Sequence, residues 1–218
     1  MLPSRQSTLH LTQISEAAVE QLAPSFNGLP GTEHADGQYR LRRYSVVGFT
    51  NGKVIDLCKN TFVQSSDINR FQGDVVRKFE PIESDVLNSD GFREMCDRFV
   101  AANHLPNDQE IEIHQIRIAA SNEETQVAPE GVHQDGFDHI AMVGVGRRNI
   151  SGGDIMIYSS HNQAPFFRKV LQDGEVAMLA DTKFWHNACP IQAVNEDQPG
   201  YLDLFVLTAT DKRNGPKA

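Results

Sequence analysis

Short apolar stretches separated by glycine, asparagine and proline fill the second half of the chain, and they constrain its fold strongly. From residue 131 onward, segments such as GGDIMIYSS, GEVAMLAD and YLDLFVLTATD follow one another without a long helical pattern between them. Parallel strands need long crossover connections that are usually helical, whereas antiparallel strands can be joined by tight turns. This spacing therefore predicts an antiparallel sandwich or barrel and not a β-α-β fold.

The first half of the chain mixes helical and strand patterns. Residues 91–103 repeat apolar side chains with helical spacing, which predicts an amphipathic helix capped by Ser89 or Asp90. Residues 39–49 alternate as a strand does, and the Asn-Gly pair that follows predicts a tight hairpin. Residues 110–121 carry isoleucines on both faces, which predicts a strand covered by two layers.

The length and the charge of the chain limit its class. The 218 residues favour one domain, with a helix-and-strand part over 1–105 and a β core over roughly 106–211. The net charge is −9 and there is no basic run, which argues against binding to nucleic acid or to an anionic membrane. No stretch approaches the apolar length of a membrane span, and the N-terminus lacks the apolar segment of a signal peptide.

Three cysteines, Cys58, Cys96 and Cys189, are too few and too far apart for a disulfide framework or a zinc knuckle. Free cysteines of this kind are usually small buried side chains. Their number and spacing predict a protein of the reducing cytoplasm. Pairing through the edges of a sheet is compatible with a homodimer.

The segment PEGVHQDG contains a pair that is suited to metal binding, His133 and Asp135. Residues two apart on an extended strand share one face, so both side chains reach the same point. His186, in the segment KFWHNACPI, supplies a third donor. Two imidazoles and one carboxylate, with other positions open, are the ligand set of non-haem Fe(II) oxygenases. The three residues are therefore predicted metal ligands; the alternative is a turn built by Asp135 before Gly136, with histidines that only pack.

Four segments in this order resemble one enzyme family. They are HQIRI at 114–118, PEGVHQDG at 129–136, RRNISGGD at 147–154 and GYLDLFVLT at 200–208. The chain resembles, from about Tyr39 to Thr210, the 2-oxoglutarate- and Fe(II)-dependent dioxygenases that include bacterial free-amino-acid hydroxylases such as the isoleucine hydroxylases. The resemblance implies a mainly β fold with a few flanking helices and a double-stranded β-helix, or jelly-roll, core.

The same resemblance implies an activity. His133, Asp135 and His186 would be the catalytic iron ligands, and 2-oxoglutarate would be converted by dioxygen to succinate and CO2 while an aliphatic C–H bond is hydroxylated. The substrate would be a small aliphatic molecule, with a free L-amino acid favoured. The presence of Asp135 argues against the related halogenation chemistry, in which halide replaces that carboxylate.

The last strand departs from the family pattern. An arginine is expected just before the aspartate, to bind the distal carboxylate of 2-oxoglutarate, but Leu202 precedes Asp203. A buried carboxylate without a cation is costly, and a bidentate guanidinium suits it best. The candidates for this co-substrate-binding role are, in order, Arg117, then Arg148 and Arg147, then Lys212 or Arg213.

Two further functions stay open because of this departure. One is a jelly-roll protein that binds a metal or senses a small molecule without turnover. The other is a cupin-type dioxygenase that needs iron but no 2-oxoglutarate. Succinate formation that depends on 2-oxoglutarate would distinguish the 2-oxoglutarate-dependent dioxygenase from both alternatives. Oxygen uptake with substrate alone would favour the cupin type.

Overall fold

The computed structural model describes residues 9–66 and 73–214, and these residues are mainly β. Their strands are β1 (Leu9–Gln13), β2 (Arg40–Thr50), β3 (Lys53–Lys59), β4 (Thr61–Phe62), β5 (Arg77–Lys78), β6 (Gln109–Ala120), β7 (His139–Arg148), β8 (Ile150–Gly152), β9 (Ile155–Tyr158), β10 (Phe167–Lys169), β11 (Glu175–Ala180), β12 (Trp185–Ala188), β13 (Ile191–Ala193) and β14 (Gly200–Ala209). Their helices are α1 (Glu16–Leu22), α2 (Ser84–Leu87) and α3 (Asp90–Ala102), with 3-10 turns at Ala23–Gly28 and Lys212–Asn214.

One large antiparallel sheet dominates the fold, with the strand order β1-β11-β7-β14-β6-β2-β3. Three smaller groups accompany it: β10-β9-β12, β13-β8 and β4-β5. The β2–β3 hairpin turns at Asn51 and Gly52, whose φ angles of 51° and 72° are those that an Asn-Gly turn requires. The predictions of antiparallel strands and of this hairpin are confirmed.

Serine hydroxyls cap the first turns of α1 and α3. The Ser15 hydroxyl accepts a hydrogen bond from the Ala18 amide at the start of α1, and the Ser89 hydroxyl accepts one from Phe92 at the start of α3. The helix predicted over 91–103 is α3, and its buried stripe includes Phe92 and Phe99. No helix within 9–66 and 73–214 has the length and apolarity needed to cross a membrane.

The main core lies between the helices and one face of the large sheet. Alternate strand residues point to this face, among them Ile111 and Ile113 of β6 and Phe205 of β14. The rings of Phe26 and Phe92 meet the Phe205 ring edge-on, at centroid distances of 5.1 and 6.0 Å. This layer buries one face of the large sheet.

The opposite face of the large sheet encloses a cavity together with the smaller sheets. Ile116 and Ile118 of β6 point to this side, and Ile155 and His186 reach it from β9 and β12. The prediction that β6 is covered by two layers is therefore confirmed. Side chains alternate along β6, so its odd-numbered residues face the helices and its even-numbered residues face the cavity.

Candidate active site

The structure brings the three predicted metal ligands together on the cavity wall. One donor atom from each of His133, Asp135 and His186 lies within 4.8 Å of the others. The Nε2 atoms of His133 and His186 lie 3.6 and 3.5 Å from the two carboxylate oxygens of Asp135. The ligand positions are set by backbone, because the His133 and His186 amides each donate to the other's carbonyl at 3.0 and 2.9 Å.

Two glycines shape the segment that carries His133 and Asp135. Gly131 and Gly136 have φ angles of 77° and 87°, which glycine adopts without strain. The turn at Gly131 brings its carbonyl oxygen to 2.7 Å from His133 Nδ1. This contact fits a proton on Nδ1, and Nε2 lies on the side of Asp135.

Burial and mutual charge shape the titration of the cluster. Burial alone would raise the pKa of Asp135, but the hydrogen bond and charge of His186 and the charge of His133 lower it below its ordinary range. Burial opposes protonation of His186, yet its contact with Asp135 raises the pKa of the imidazole above its usual value. A divalent cation at this point would compete with protons for these three side chains.

The three side chains fit an Fe(II) ion. Two imidazole nitrogens and one carboxylate converge, and no fourth histidine, cysteine or acidic donor joins the group within the described part of the chain. Such a set leaves coordination positions for small molecules, as a non-haem oxygenase requires.

The cavity beside the cluster is small and largely apolar. Its volume is about 140 Å³. The apolar lining comes from both layers and includes Ile116, Ile118, Ile140, Met142, Ile155, Leu171, Leu202, Leu204 and Val206. Walls of this kind exclude water and suit an aliphatic group.

Three arginines that the sequence did not single out line the same cavity: Arg40, Arg42 and Arg77, here called the arginine cluster. Arg40 and Arg42 both donate to one oxygen of Asp36 at 2.8 Å, and Arg77 donates to Gln64 at 3.2 Å. The Nε atom of each arginine is buried and has no hydrogen-bond partner among the residues described. The cluster therefore carries unused donors and more positive charge than Asp36 neutralises.

Arg42 keeps its charge at neutral pH. Burial, and then the charge of Arg40, lower the pKa of Arg42 to about 9, while Asp36 raises it. Even this lowered pKa leaves the guanidinium protonated. The cluster can therefore bind an anion that enters the cavity.

His114 lies next to the arginine cluster and is neutral. Burial and the charges of Arg42 and Arg77 lower the pKa of its imidazole well below the usual value. The rings of Tyr44 and Phe62 pack around it at centroid distances of 4.6 and 4.7 Å. Its buried Nδ1 has no hydrogen-bond partner in the described part of the chain.

Glu130 adds a negative charge beside the predicted ligands. Its Oε1 lies 3.7 Å from His133 Nε2. Its Oε2 is buried, and no residue in 9–66 or 73–214 hydrogen-bonds to it. The cavity thus offers an unused acceptor as well as unused donors.

Arg117 and Arg148, the predicted co-substrate residues, do not line this cavity. Arg117 forms two 2.7 Å bonds to the carboxylate of Asp203 and stacks 4.0 Å from the Tyr201 ring centroid. It points to the helix side because it alternates with Ile116 and Ile118 along β6. Arg148 is exposed on the same outer cleft.

Arg147 also borders this outer cleft and is absent from the cavity lining, but its pairing differs from that of Arg148. A bulge between Asp203 and Leu204 shifts the pairing of β14 with β7, and Arg147 is the partner of Leu202 in that register. Its Nη1 is buried without a hydrogen-bond partner among the described residues, and lies 3.1 Å from where a Cβ of Gly153 would be. Gly153 and Leu202 both line the cavity, so Arg147 places a cation beside its apolar part.

Comparisons with known structures agree with this architecture. A bsmA homolog from Methylobium petroleophilum PM1 is 24% identical, with a TM-score of 0.76 over 89% of this chain and 81% of that one. IDO from Bacillus thuringiensis is 18% identical, with a TM-score of 0.75 over 92% of both chains. The Fe(II)/(alpha)ketoglutarate-dependent dioxygenase TqaL is 13% identical, with a TM-score of 0.69 over 94% of this chain and 83% of that one. These similarities confirm the jelly-roll fold.

The sequence comparison identifies the family. A search of curated proteins found no match. The sequence model of the family described as 2OG-Fe dioxygenase matches residues 23–208, which is most of the chain. That family uses Fe(II) and 2-oxoglutarate, and the His-Asp-His group described above is a candidate site for the metal. The chain therefore belongs to the 2OG-Fe dioxygenase family and is a 2-oxoglutarate- and Fe(II)-dependent oxygenase.

Proposed function

We propose that this enzyme hydroxylates a small aliphatic substrate, most specifically a free L-amino acid, with His133, Asp135 and His186 as its iron ligands. The observation that carries the proposal is the convergence of these three side chains on a cavity of about 140 Å³ with both apolar and arginine walls. The apolar wall suits an aliphatic side chain.

When bound, Fe(II) and 2-oxoglutarate supply the oxidation of an aliphatic C–H bond by dioxygen. The protein residues orient the reactants and keep water out. Isoleucine, leucine and valine side chains of β6 and β14 form the dry wall of the cavity. The backbone bridge between His133 and His186 holds the ligands in place before the reactants arrive.

We assign the distal carboxylate of 2-oxoglutarate to Arg147. Arg147 was a later candidate in the sequence analysis, and we now place it before Arg117 and Arg148. Support comes from its register opposite Leu202, the position that lacks the expected arginine, and from its unpartnered, buried Nη1. A guanidinium on the neighbouring strand thus compensates for the leucine.

We assign the charged groups of the substrate to the other wall. Arg42 and Arg77, with unused Nε donors, would bind a carboxylate. The unused Glu130 oxygen would accept from an ammonium group close to His133. A carboxylate and an ammonium on one small molecule match a free amino acid, and this match supports the substrate class.

The test is succinate formation by the iron-loaded enzyme with 2-oxoglutarate and a panel of L-amino acids. We expect aliphatic amino acids to stimulate succinate formation, and their decarboxylated amines and deaminated acids to fail. Stimulation by no amino acid would reject the substrate class. Oxygen uptake with substrate but without 2-oxoglutarate would favour a cupin-type enzyme, and iron binding without turnover would favour a sensor.

The cytoplasmic location and the homodimer stay predictions from the sequence. The structure supports the first only in that Cys58, Cys96 and Cys189 are all unpaired thiols. Neither bears on the assignment of the cavity residues.

A further inference from the structure

Gln64 contacts both the metal-ligand group and the arginine cluster. It follows β4, lines the cavity and is only 8% exposed. Its Nε2 donates to the backbone carbonyl of Asp135 at 3.2 Å and to Oδ1 of the same residue at 3.3 Å. Its Oε1 accepts a hydrogen bond from Arg77 Nη2 at 3.2 Å. One side-chain amide therefore joins a predicted metal ligand to an arginine that we assign to the substrate.

The two partners fix the orientation of the Gln64 amide. The backbone carbonyl of Asp135 can only accept a hydrogen bond, whereas the guanidinium of Arg77 can only donate one. In the flipped orientation, the amide oxygen would face the Asp135 oxygens and the NH2 group would face the guanidinium. A glutamate at this position would lack the donor, and a methionine would lack the donor and offer only a weak acceptor. The role therefore requires a side-chain amide.

The β4–β5 strand pair carries both Gln64 and Arg77. Phe62 of β4 is the register partner of Arg77 in β5, and its ring centroid lies 4.8 Å from the guanidinium carbon. The backbone carbonyl of Gln64 accepts from the Asp74 amide at 2.8 Å, which continues the contact between the two segments. The Gln64 side chain thus ties this strand pair to the loop that holds Asp135, 71 residues further along the chain.

We propose that Gln64 is a positioning residue that holds the Asp135 carboxylate for the metal and fixes its place relative to Arg77. The inference rests on the proposed iron ligands and on the proposed role of the arginine cluster. Its chemistry is general, because a hydrogen-bond donor to a ligating carboxylate orients that ligand. Here the same donor group is itself oriented by the guanidinium assigned to the substrate carboxylate, so one contact relates the substrate position to the metal position.

The substitution Gln64→Met removes the amide and keeps an unbranched side chain of similar length. Gln115→Met is the matched control. Gln115 is also buried, and its Nε2 donates to the Ser25 hydroxyl at 2.6 Å. It lies on β6 among the residues that face the helices, and it does not line the cavity. The control therefore reports on loss of a buried amide away from Asp135.

The first measurement is anaerobic titration of the full chain with Fe(II). We expect the affinity of Gln64→Met to be about 10- to 100-fold weaker than that of the wild type, because Asp135 loses its donor. Gln115→Met should bind Fe(II) as the wild type does. An unchanged affinity in Gln64→Met, or an equal loss in the control, would overturn the inference.

A double-mutant cycle with Arg77→Met tests the link to the arginine cluster. Arg77→Met also removes a positive charge from the cavity, which by itself favours a bound cation. The cycle cancels this charge effect, since it is present with and without the Gln64 amide. We expect the loss of Fe(II) affinity caused by Gln64→Met to be at least about twofold smaller in the Arg77→Met background. Additive effects would contradict the proposal.

NMR of the metal-free wild type keeps the test decisive if a variant does not fold. We expect the Gln64 side-chain NH2 protons to exchange with water more slowly than those of the exposed Gln172. Equally fast exchange would contradict the hydrogen bonds to Asp135 and with them the inference. Failure of the proposed iron ligands looks different: the wild type then binds no Fe(II), or Asp135→Ala binds it equally well.

Discussion

At the scale of single residues, neighbours in sequence have separate tasks because strand side chains alternate. Arg42 lies buried in the cavity wall, whereas Arg43, the next residue, binds Glu80 and Glu83 on the outside. Arg147 lies beside Leu202, whereas Arg148 is exposed. Within each pair both residues are arginines, and only the direction of the side chain differs. The same substitution at the two positions therefore tests the effect of direction alone.

We expect Arg42→Gln to weaken amino-acid binding about 10- to 100-fold, because a hydrogen bond to a charged group contributes about 1.5–3 kcal/mol. Arg43→Gln should leave binding unchanged. The measurement is the amino-acid concentration that gives half-maximal succinate formation at saturating 2-oxoglutarate. Equal effects of both substitutions would contradict the assignment of the arginine cluster to the substrate.

We expect Arg147→Gln to raise the Kd of 2-oxoglutarate by a similar factor, about 10- to 100-fold, because the distal carboxylate loses its cation. Arg148→Gln should have little effect. Anaerobic binding of 2-oxoglutarate to the iron-loaded protein measures both. A larger loss in Arg148→Gln than in Arg147→Gln would contradict the assignment to Arg147.

At the scale of elements, β14 joins the two halves of the structure. Its odd residues, such as Phe205, pack against the helices, and its even residues, such as Leu204, line the cavity. The bulge next to Leu204 changes the pairing with β7 and puts Arg147 opposite Leu202. The strand therefore couples core packing to the shape of the site.

Phe205→Ala should lower the free energy of unfolding by about 3–5 kcal/mol, because it removes a fully buried ring between Phe26 and Phe92. The control is Phe166→Ala, whose ring is 53% exposed and should cost less than about 1 kcal/mol. Denaturant unfolding of the metal-free proteins gives both values. Similar costs for the two substitutions would show that the helix layer is not the main core.

The elements and the convergence of the three predicted ligands were predictable from the sequence, whereas among the cation sites proposed here only Arg147 was a candidate. Helical periodicity predicted α3, and strand alternation with an Asn-Gly pair predicted the β2–β3 hairpin. The two-residue spacing of His133 and Asp135 predicted that their side chains converge. Periodicity cannot say which face of a strand meets the metal, so Arg117 and Ile116 were equivalent before the layers were known. Arg77 reaches the cavity from a two-residue strand whose place depends on long-range pairing with β4, and no local signal marks it.

At the scale of the whole molecule, the large sheet lies between the main hydrophobic core and the cavity that holds the candidate active site. Helices cover one face, and the other face encloses the ligand triad, the arginine cluster and the apolar wall. Segments far apart in sequence complete the site, since β2 enters beside β6 and Gln64 donates to Asp135 at 3.3 Å. Metal binding should therefore stabilise the fold as a unit.

A divalent metal at a hundred times its Kd should add about 2.7 kcal/mol to the stability of the wild type. For a chain of this size the corresponding rise in Tm is roughly 5–10 °C. Asp135→Ala should lose the effect, and a chelator should reverse it in the wild type. Thermal unfolding with and without Co(II) measures it, and an equal rise in the variant would exclude Asp135 as a ligand.

The central claim is that His133, Asp135 and His186 hold an iron to which 2-oxoglutarate binds directly. The measurement is anaerobic titration of the Fe(II)-loaded protein with 2-oxoglutarate, followed by the weak visible charge-transfer band of the chelate. We predict a saturable band in the wild type and none in Asp135→Ala. A wild type that binds iron but develops no band would contradict the claim.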